Sequence, residues 1–176
     1  MVKTKLCVLG GAVLVAGGLK HYYAVAGADE LWWILTPIAR AVGVATGAAF
    51  QSIPGEGYVS RERLFVIEKS CAGVNFMIAA FAMMVLTFYH RITSGISGAY
   101  VLVASLVASY GAAVFVNATR ITMAMWLAAH SLAASGLSAA EVHRLEGIAV
   151  YFAGLVVLYE IALRLERRAV TAKVRS

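Results

Sequence analysis

The stretch Glu68-Lys69-Ser70-Cys71-Ala72-Gly73-Val74-Asn75-Phe76-Met77 decides how the chain is read. Charge stops there. Arg61, Glu62, Arg63, Glu68 and Lys69 precede Cys71, and from Ala72 to Tyr89 no residue is charged. An uncharged run of that length is enough to cross a hydrocarbon core of about 30 Å. The junction therefore predicts a membrane helix with a cysteine at its mouth, on the water boundary.

The rest of the chain agrees. Of its 176 residues, 61% are hydrophobic and 14% charged, and the mean hydropathy is +0.81. A soluble domain carries nearer a quarter charged residues. Composition and length predict one integral-membrane domain over residues 1–176. The net charge of +6 reads as a topology signal rather than a nucleic-acid footprint, because the basic residues gather at the ends. Lys3 and Lys5 open the chain, and Arg164, Arg167, Arg168, Lys173 and Arg175 close it. By the positive-inside rule both termini face the cytoplasm.

Working outward, Leu6 to Ala26 reads as a first span, with Lys20 snorkelling to the interface. It is taken as a retained anchor rather than a cleaved leader. Leu31 to Phe50 opens on Trp32-Trp33 and carries Pro37 and Arg40, which suits a re-entrant or interfacial helix. Gln51 to Lys69 is polar, with a turn at Pro54-Gly55-Glu56-Gly57 and an extended piece at Leu64 to Ile67. Ala72 to Tyr89 spans and ends at His90-Arg91. Gly98 to Val116 spans back, ending at Asn117-Ala118-Thr119-Arg120. Ile121 to Ala134 covers roughly 20 Å, too short to cross. Ser135 to Ala140 reads as a loop, and Glu141-Val142-His143-Arg144 opens a last span through Leu163. The expected fold is an all-α, polytopic membrane helix bundle. It has four spans, two re-entrant or interfacial helices and a short extracytoplasmic extended segment. Four spans leave both termini inside and put Cys71, Arg120 and His143 together outside.

The chain has two cysteines, Cys7 and Cys71. They fall at opposite levels of the bilayer, far beyond the reach of a disulfide. No CxxC pair, HExxH helix or Walker-type glycine loop occurs, which argues against thiol-redox, zinc-protease and nucleotide-driven chemistry. No cofactor or metal is expected.

Three polar residues stand out near predicted helix ends. Cys71 reads either as a small packing residue beside Gly73 or as a nucleophile. In the second reading Ser70 caps the helix, whose start favours negative charge, and Asn75 lies one turn along. Arg120 follows Asn117 by one turn and is either a headgroup anchor or a working cation. His143 is either interfacial or an acid–base group, with Gly147 clearing volume one turn on and Glu146 placed to orient the ring.

These residues resemble the motifs of the exosortase/archaeosortase family of membrane transpeptidases. The family's Cys-Ala-Gly, Asn-x-x-Arg and His-with-Gly motifs match Cys71-Ala72-Gly73, Asn117-Ala118-Thr119-Arg120 and His143 to Gly147, in order, across roughly Leu31 to Phe152. The wording Cys-Ala-Gly-Val-Asn-Phe is most similar to the short exosortase K branch. The resemblance implies a cysteine-type peptidase in a prokaryotic plasma membrane with its active site on the extracytoplasmic side. Its partners would be the bilayer, exported precursors bearing a C-terminal sorting helix and an amine-bearing envelope acceptor. Cys71 would attack, Arg120 would stabilise the oxyanion or thiolate, His143 would transfer protons, and Asn117 would hold Arg120 or His143. Two other classes compete: a small channel or transporter subunit lined by Arg120 and His143, and a non-catalytic envelope assembly factor. Neither needs a thiol at a helix mouth.

Overall fold

The computed structural model describes the backbone of residues 2–129 and 139–175, and the side chains of residues 2–127 and 144–168. Five α-helices carry most of the described chain: α1 (Val2–Val25), α2 (Trp32–Thr46), α3 (Val74–Thr87), α4 (Gly95–Ala129) and α5 (Ala139–Arg175). Between α2 and α3 lie strands β1 (Gln51–Ile53), β2 (Gly57–Ser60) and β3 (Phe65–Ile67), followed by a 3-10 turn at Lys69–Cys71. Among the described residues, four helical segments are long and apolar enough to cross a membrane: Val2–Val25, Lys69–Thr87, Gly95–Leu127 and Arg144–Arg168. Contacts divide the chain into two compact units.

The first unit comprises Met1–Tyr22, Val74–Ala112 and Ala153–Ser176. Its apolar contacts include Val8, Ile92 and Val101, packed with Phe88, Tyr89 and Leu102. A second cluster joins Ala12, Phe81 and Val85 to Leu9, Leu102 and Leu106. Gly98 sets the closest approach of α4 to α1, because a Cβ there would overlap Val8 Cγ2. Small residues at such crossings let helices pack without a hydrophobic driving force between them. Polar groups are tied off in pairs. Lys20 Nζ donates to Asn75 Oδ1 at 2.7 Å, and the Lys5 ammonium lies 4.8 Å from the Tyr89 ring centroid. His90 Nε2 lies 3.1 Å from Glu166 Oε1, and Arg91 donates to the Glu166 carbonyl. Leu14, Val103, Val107 and Val157 are largely exposed. Aliphatic faces of that kind on long helices suit lipid rather than water.

The second unit comprises Tyr23–Gly73 and Ala113–Phe152. Helix α2 buries Ile34, Leu35, Ile38, Ala39 and Val42, spaced as one helical face. It packs on the sheet through β2, where the Thr36 and Tyr58 hydroxyls hydrogen-bond. The sheet is antiparallel in the order β1-β2-β3, with Ser52 opposite Tyr58 and Val59 opposite Val66. Both Asp29 carboxylate oxygens accept from the Gly55 N–H at 3.0 Å, which pins the first hairpin turn. Tyr23 donates to the Lys69 carbonyl at 3.3 Å, and Lys69 Nζ donates to the Ala24 carbonyl at 3.1 Å. These bonds tie the turn that ends in Cys71 to the end of α1.

Two sequence expectations change. Of the extended piece expected at Leu64 to Ile67, Phe65–Ile67 is the third strand of a sheet and Leu64 is a turn residue with φ +50°, so the fold is not purely helical. The separate short helix expected from Ile121 is the continuation of α4. Asn117 and Thr119 do not break the helix, because each returns its side chain to its own ladder. Asn117 Nδ2 donates to the Ala113 carbonyl at 2.7 Å, and Thr119 Oγ1 donates to the Phe115 carbonyl at 2.9 Å. Helix α2, at 15 residues or about 22 Å, falls short of a crossing. The expected loop at Ser135 lies outside the described residues as far as 138, and Ala139 already belongs to α5.

Replacing Gly98 with Val fills the space that Val8 occupies. The expected loss is about 1–3 kcal/mol, seen as a lower melting temperature in detergent. The same substitution at Gly95, which has open space around it, is expected to cost less.

Candidate functional site

The site is built where the Lys69–Cys71 turn meets α4 and α5 within the second unit. Cys71 does not open a helix. It ends the 3-10 turn, and α3 begins three residues later at Val74. Ser70 is accordingly not a helix cap: its hydroxyl donates to Glu68 Oε1 at 2.9 Å and lies 3.8 Å from Cys71 Sγ.

Gly73 turns the chain between the two elements. Its φ is +63°, a region that side-chain-bearing residues rarely adopt. A Cβ at Gly73 would also overlap the Asn117 carboxamide. Two independent requirements therefore fix glycine here.

Asn117 is fully buried on α4. Its Nδ2 donates to the Ala113 carbonyl, and its Oδ1 accepts from the Tyr151 hydroxyl at 2.7 Å. A buried amide without partners would be costly; here both ends are used. Asn117 packs on the backbone at Gly73, so the Cys-Ala-Gly and Asn-x-x-Arg segments meet.

Arg120 lies one turn beyond Asn117. Its Nη2 is 3.9 Å from Cys71 Sγ, and its guanidinium lies 5.3 Å from the Tyr151 ring centroid. Among the described residues, the buried Nε–H of Arg120 has no hydrogen-bond partner. The Gly147 backbone lies beside this side chain: a Cβ there would make ordinary van der Waals contacts with Arg120 Nη1 at 3.4 Å and Cδ at 3.7 Å. Gly147 was expected to clear volume beside His143, whose side chain lies outside the described residues.

A cleft of about 320 Å³ opens on these groups, lined by Phe65, Val66, Glu68, Ser70, Cys71, Arg120, Ile121 and Ala124. Cys71 is only 8% exposed, so its sulfur is presented to the cleft rather than to bulk solvent. A thiol, a cation and an open volume are thus brought together. The His143 side chain lies outside the described residues. Asn75 is exposed and bonded to Lys20, and it does not line the cleft. Among the described residues no cluster of His, Cys, Asp and Glu is arranged to hold a metal ion.

Tyr151 and Glu68 are the site residues that the sequence reading did not single out. Tyr151 had one signal: it lies one helical turn beyond Gly147 and so shares its face. Glu68 had none beyond its place beside Ser70.

Gly73→Ala is expected to destabilise the protein by more than the roughly 1–2 kcal/mol of a left-handed backbone alone. In an Asn117→Gly background the overlap is gone, and the cost of Gly73→Ala should fall back towards that backbone value, as a double-mutant thermal-melting cycle would read.

No family model matches the chain, and no curated protein or solved structure matches it.

Proposed function

We propose that this chain is a membrane cysteine endopeptidase or transpeptidase of the exosortase kind, which cleaves the C-terminal sorting signal of exported proteins. The observation that carries the reading is the Arg120 guanidinium set 3.9 Å from the Cys71 sulfur at the wall of a cleft. A guanidinium at that distance is placed to stabilise the negative charge that develops when a cysteine sulfur adds to a carbonyl. Burial in an apolar membrane protein makes an unemployed arginine expensive, so its placement on a thiol argues for use.

The sequence order and the four crossing-length helices support the topology. With four crossings both termini lie on the cytoplasmic side, where the basic ends favour them. The α1–α3 connection, which carries Cys71, then lies on the extracytoplasmic side of the plasma membrane. A secreted precursor held there by a C-terminal apolar helix would present its scissile bond at the same level.

The steps follow from the residues. The Cys71 thiolate adds to the scissile carbonyl, and the Arg120 guanidinium, whose Nη2 faces the sulfur, stabilises the oxyanion. The intermediate collapses to a thioester as the C–N bond breaks, and the amine of the departing tail takes a proton from His143. An amine acceptor then gives its proton to His143 and attacks the thioester, whose C–S bond breaks to return the Cys71 thiolate; water in its place gives hydrolysis. Strand β3 supports the choice of a peptide substrate. It pairs with β2 on one side only among the described residues, and its Phe65 and Val66 line the cleft. An extended peptide added to a strand edge gains main-chain hydrogen bonds regardless of sequence.

Cys71→Ala is expected to leave exported precursors uncut, with their apolar tails retained in the membrane fraction of the host. Arg120→Ala is expected to slow processing about 10²–10³-fold, the scale of one lost oxyanion donor. Normal processing in Cys71→Ala would reject the reading.

A further inference from the structure

We infer that Tyr151 is a positioning residue that sets the Arg120 guanidinium on the Cys71 sulfur, acting through Asn117 and through its own ring. The inference rests on the proposed use of Cys71 and Arg120, and it concerns how their geometry is held.

Three observations converge on Tyr151. Its hydroxyl donates to Asn117 Oδ1 at 2.7 Å. That bond leaves the amide nitrogen for the Ala113 carbonyl and the side facing Gly73, and so decides which way the carboxamide points. Its ring lies 5.3 Å from the Arg120 guanidinium, within the range of a cation–π contact. Finally, the backbone of Gly147, one turn before Tyr151 on α5, lies alongside Arg120, close enough that a Cβ there would be in van der Waals contact with it. Arg120 thus lies between the Tyr151 ring and the α5 backbone at Gly147. A long side chain loses little further freedom on reaction when its geometry is already fixed.

Ser70, Glu68 and Tyr23, the other polar groups described beside the thiol's turn, are bonded elsewhere. Ser70 and Glu68 bond to each other, and Tyr23 bonds to the Lys69 carbonyl. Among the described residues, Tyr151 is the one whose contacts join Asn117, which packs on the Cys-Ala-Gly turn, to Arg120, which faces the thiol.

The test uses the full chain in detergent with Cys7→Ser, so that Cys71 is the sole thiol. Alkylation rates with iodoacetate and iodoacetamide are compared, each relative to a free thiol in solution. Changes in access move both rates alike, whereas a guanidinium held beside the sulfur favours the anionic reagent, so their ratio reads the position of Arg120. The parent protein is expected to prefer iodoacetate by about fivefold, the scale of one unit-charge interaction at contact in water. Tyr151→Phe should remove most of that preference, and Tyr151→Leu at least as much. Neither should lower the ratio further in an Arg120→Gln background. An unchanged ratio in whichever of the two variants folds overturns the inference, as does an equal drop with and without Arg120. The reagents need no peptide substrate, so this result stands apart from the processing defect that decides the peptidase reading.

Discussion

The structure of this site depends on a buried amide packed against a residue that has no side chain. Asn117 occupies the space in which a Cβ of residue 73 would sit. The backbone at Gly73 can therefore turn sharply and deliver Cys71 to the helix that carries Arg120. The resemblance implied that Asn117 holds Arg120 or His143; among the described residues it makes no hydrogen bond to Arg120, and the His143 side chain lies outside them. Asn117 spends its polar atoms on the Ala113 carbonyl and the Tyr151 hydroxyl. Both ends satisfied, it is a rigid spacer, and the thiol–guanidinium distance follows from the spacer and the helical turn between residues 117 and 120.

The same economy of polar groups explains the length of α4. In a low-dielectric setting an unpaired carbonyl or hydroxyl is costly, so side chains that reach back to their own helix keep it intact. Asn117 and Thr119 both do so, and α4 runs through them for 35 residues. Ladder continuity lets one helix pack apolar side chains in the first unit and carry site residues in the second.

Much of this was legible in the chain. The four crossing-length helices follow from runs without charge, and the motif order pointed to Cys71, Arg120, Asn117 and Gly147 before any contact was known. What was not legible depended on three-dimensional pairing. Polarity at Asn117 to Arg120 looks like a helix end, and only the Ala113 and Phe115 carbonyls, one turn back, reveal that it is not. Ser70 has the chemistry of a cap, but Glu68 takes its hydroxyl. Gly147 signals a small residue without saying which neighbour it faces; that neighbour, Arg120, comes from another helix. Tyr151 resembles any interfacial tyrosine until its hydroxyl is seen on Asn117.

The central claim is that the Cys71 sulfur forms a covalent bond to its substrate. The direct measurement is mass spectrometry of the Cys71 peptide from acid-quenched host membranes, with and without hydroxylamine. The account predicts an acyl adduct on Cys71 that hydroxylamine removes, as a thioester requires. Cys71 recovered unmodified from membranes that are actively cutting precursor would contradict it.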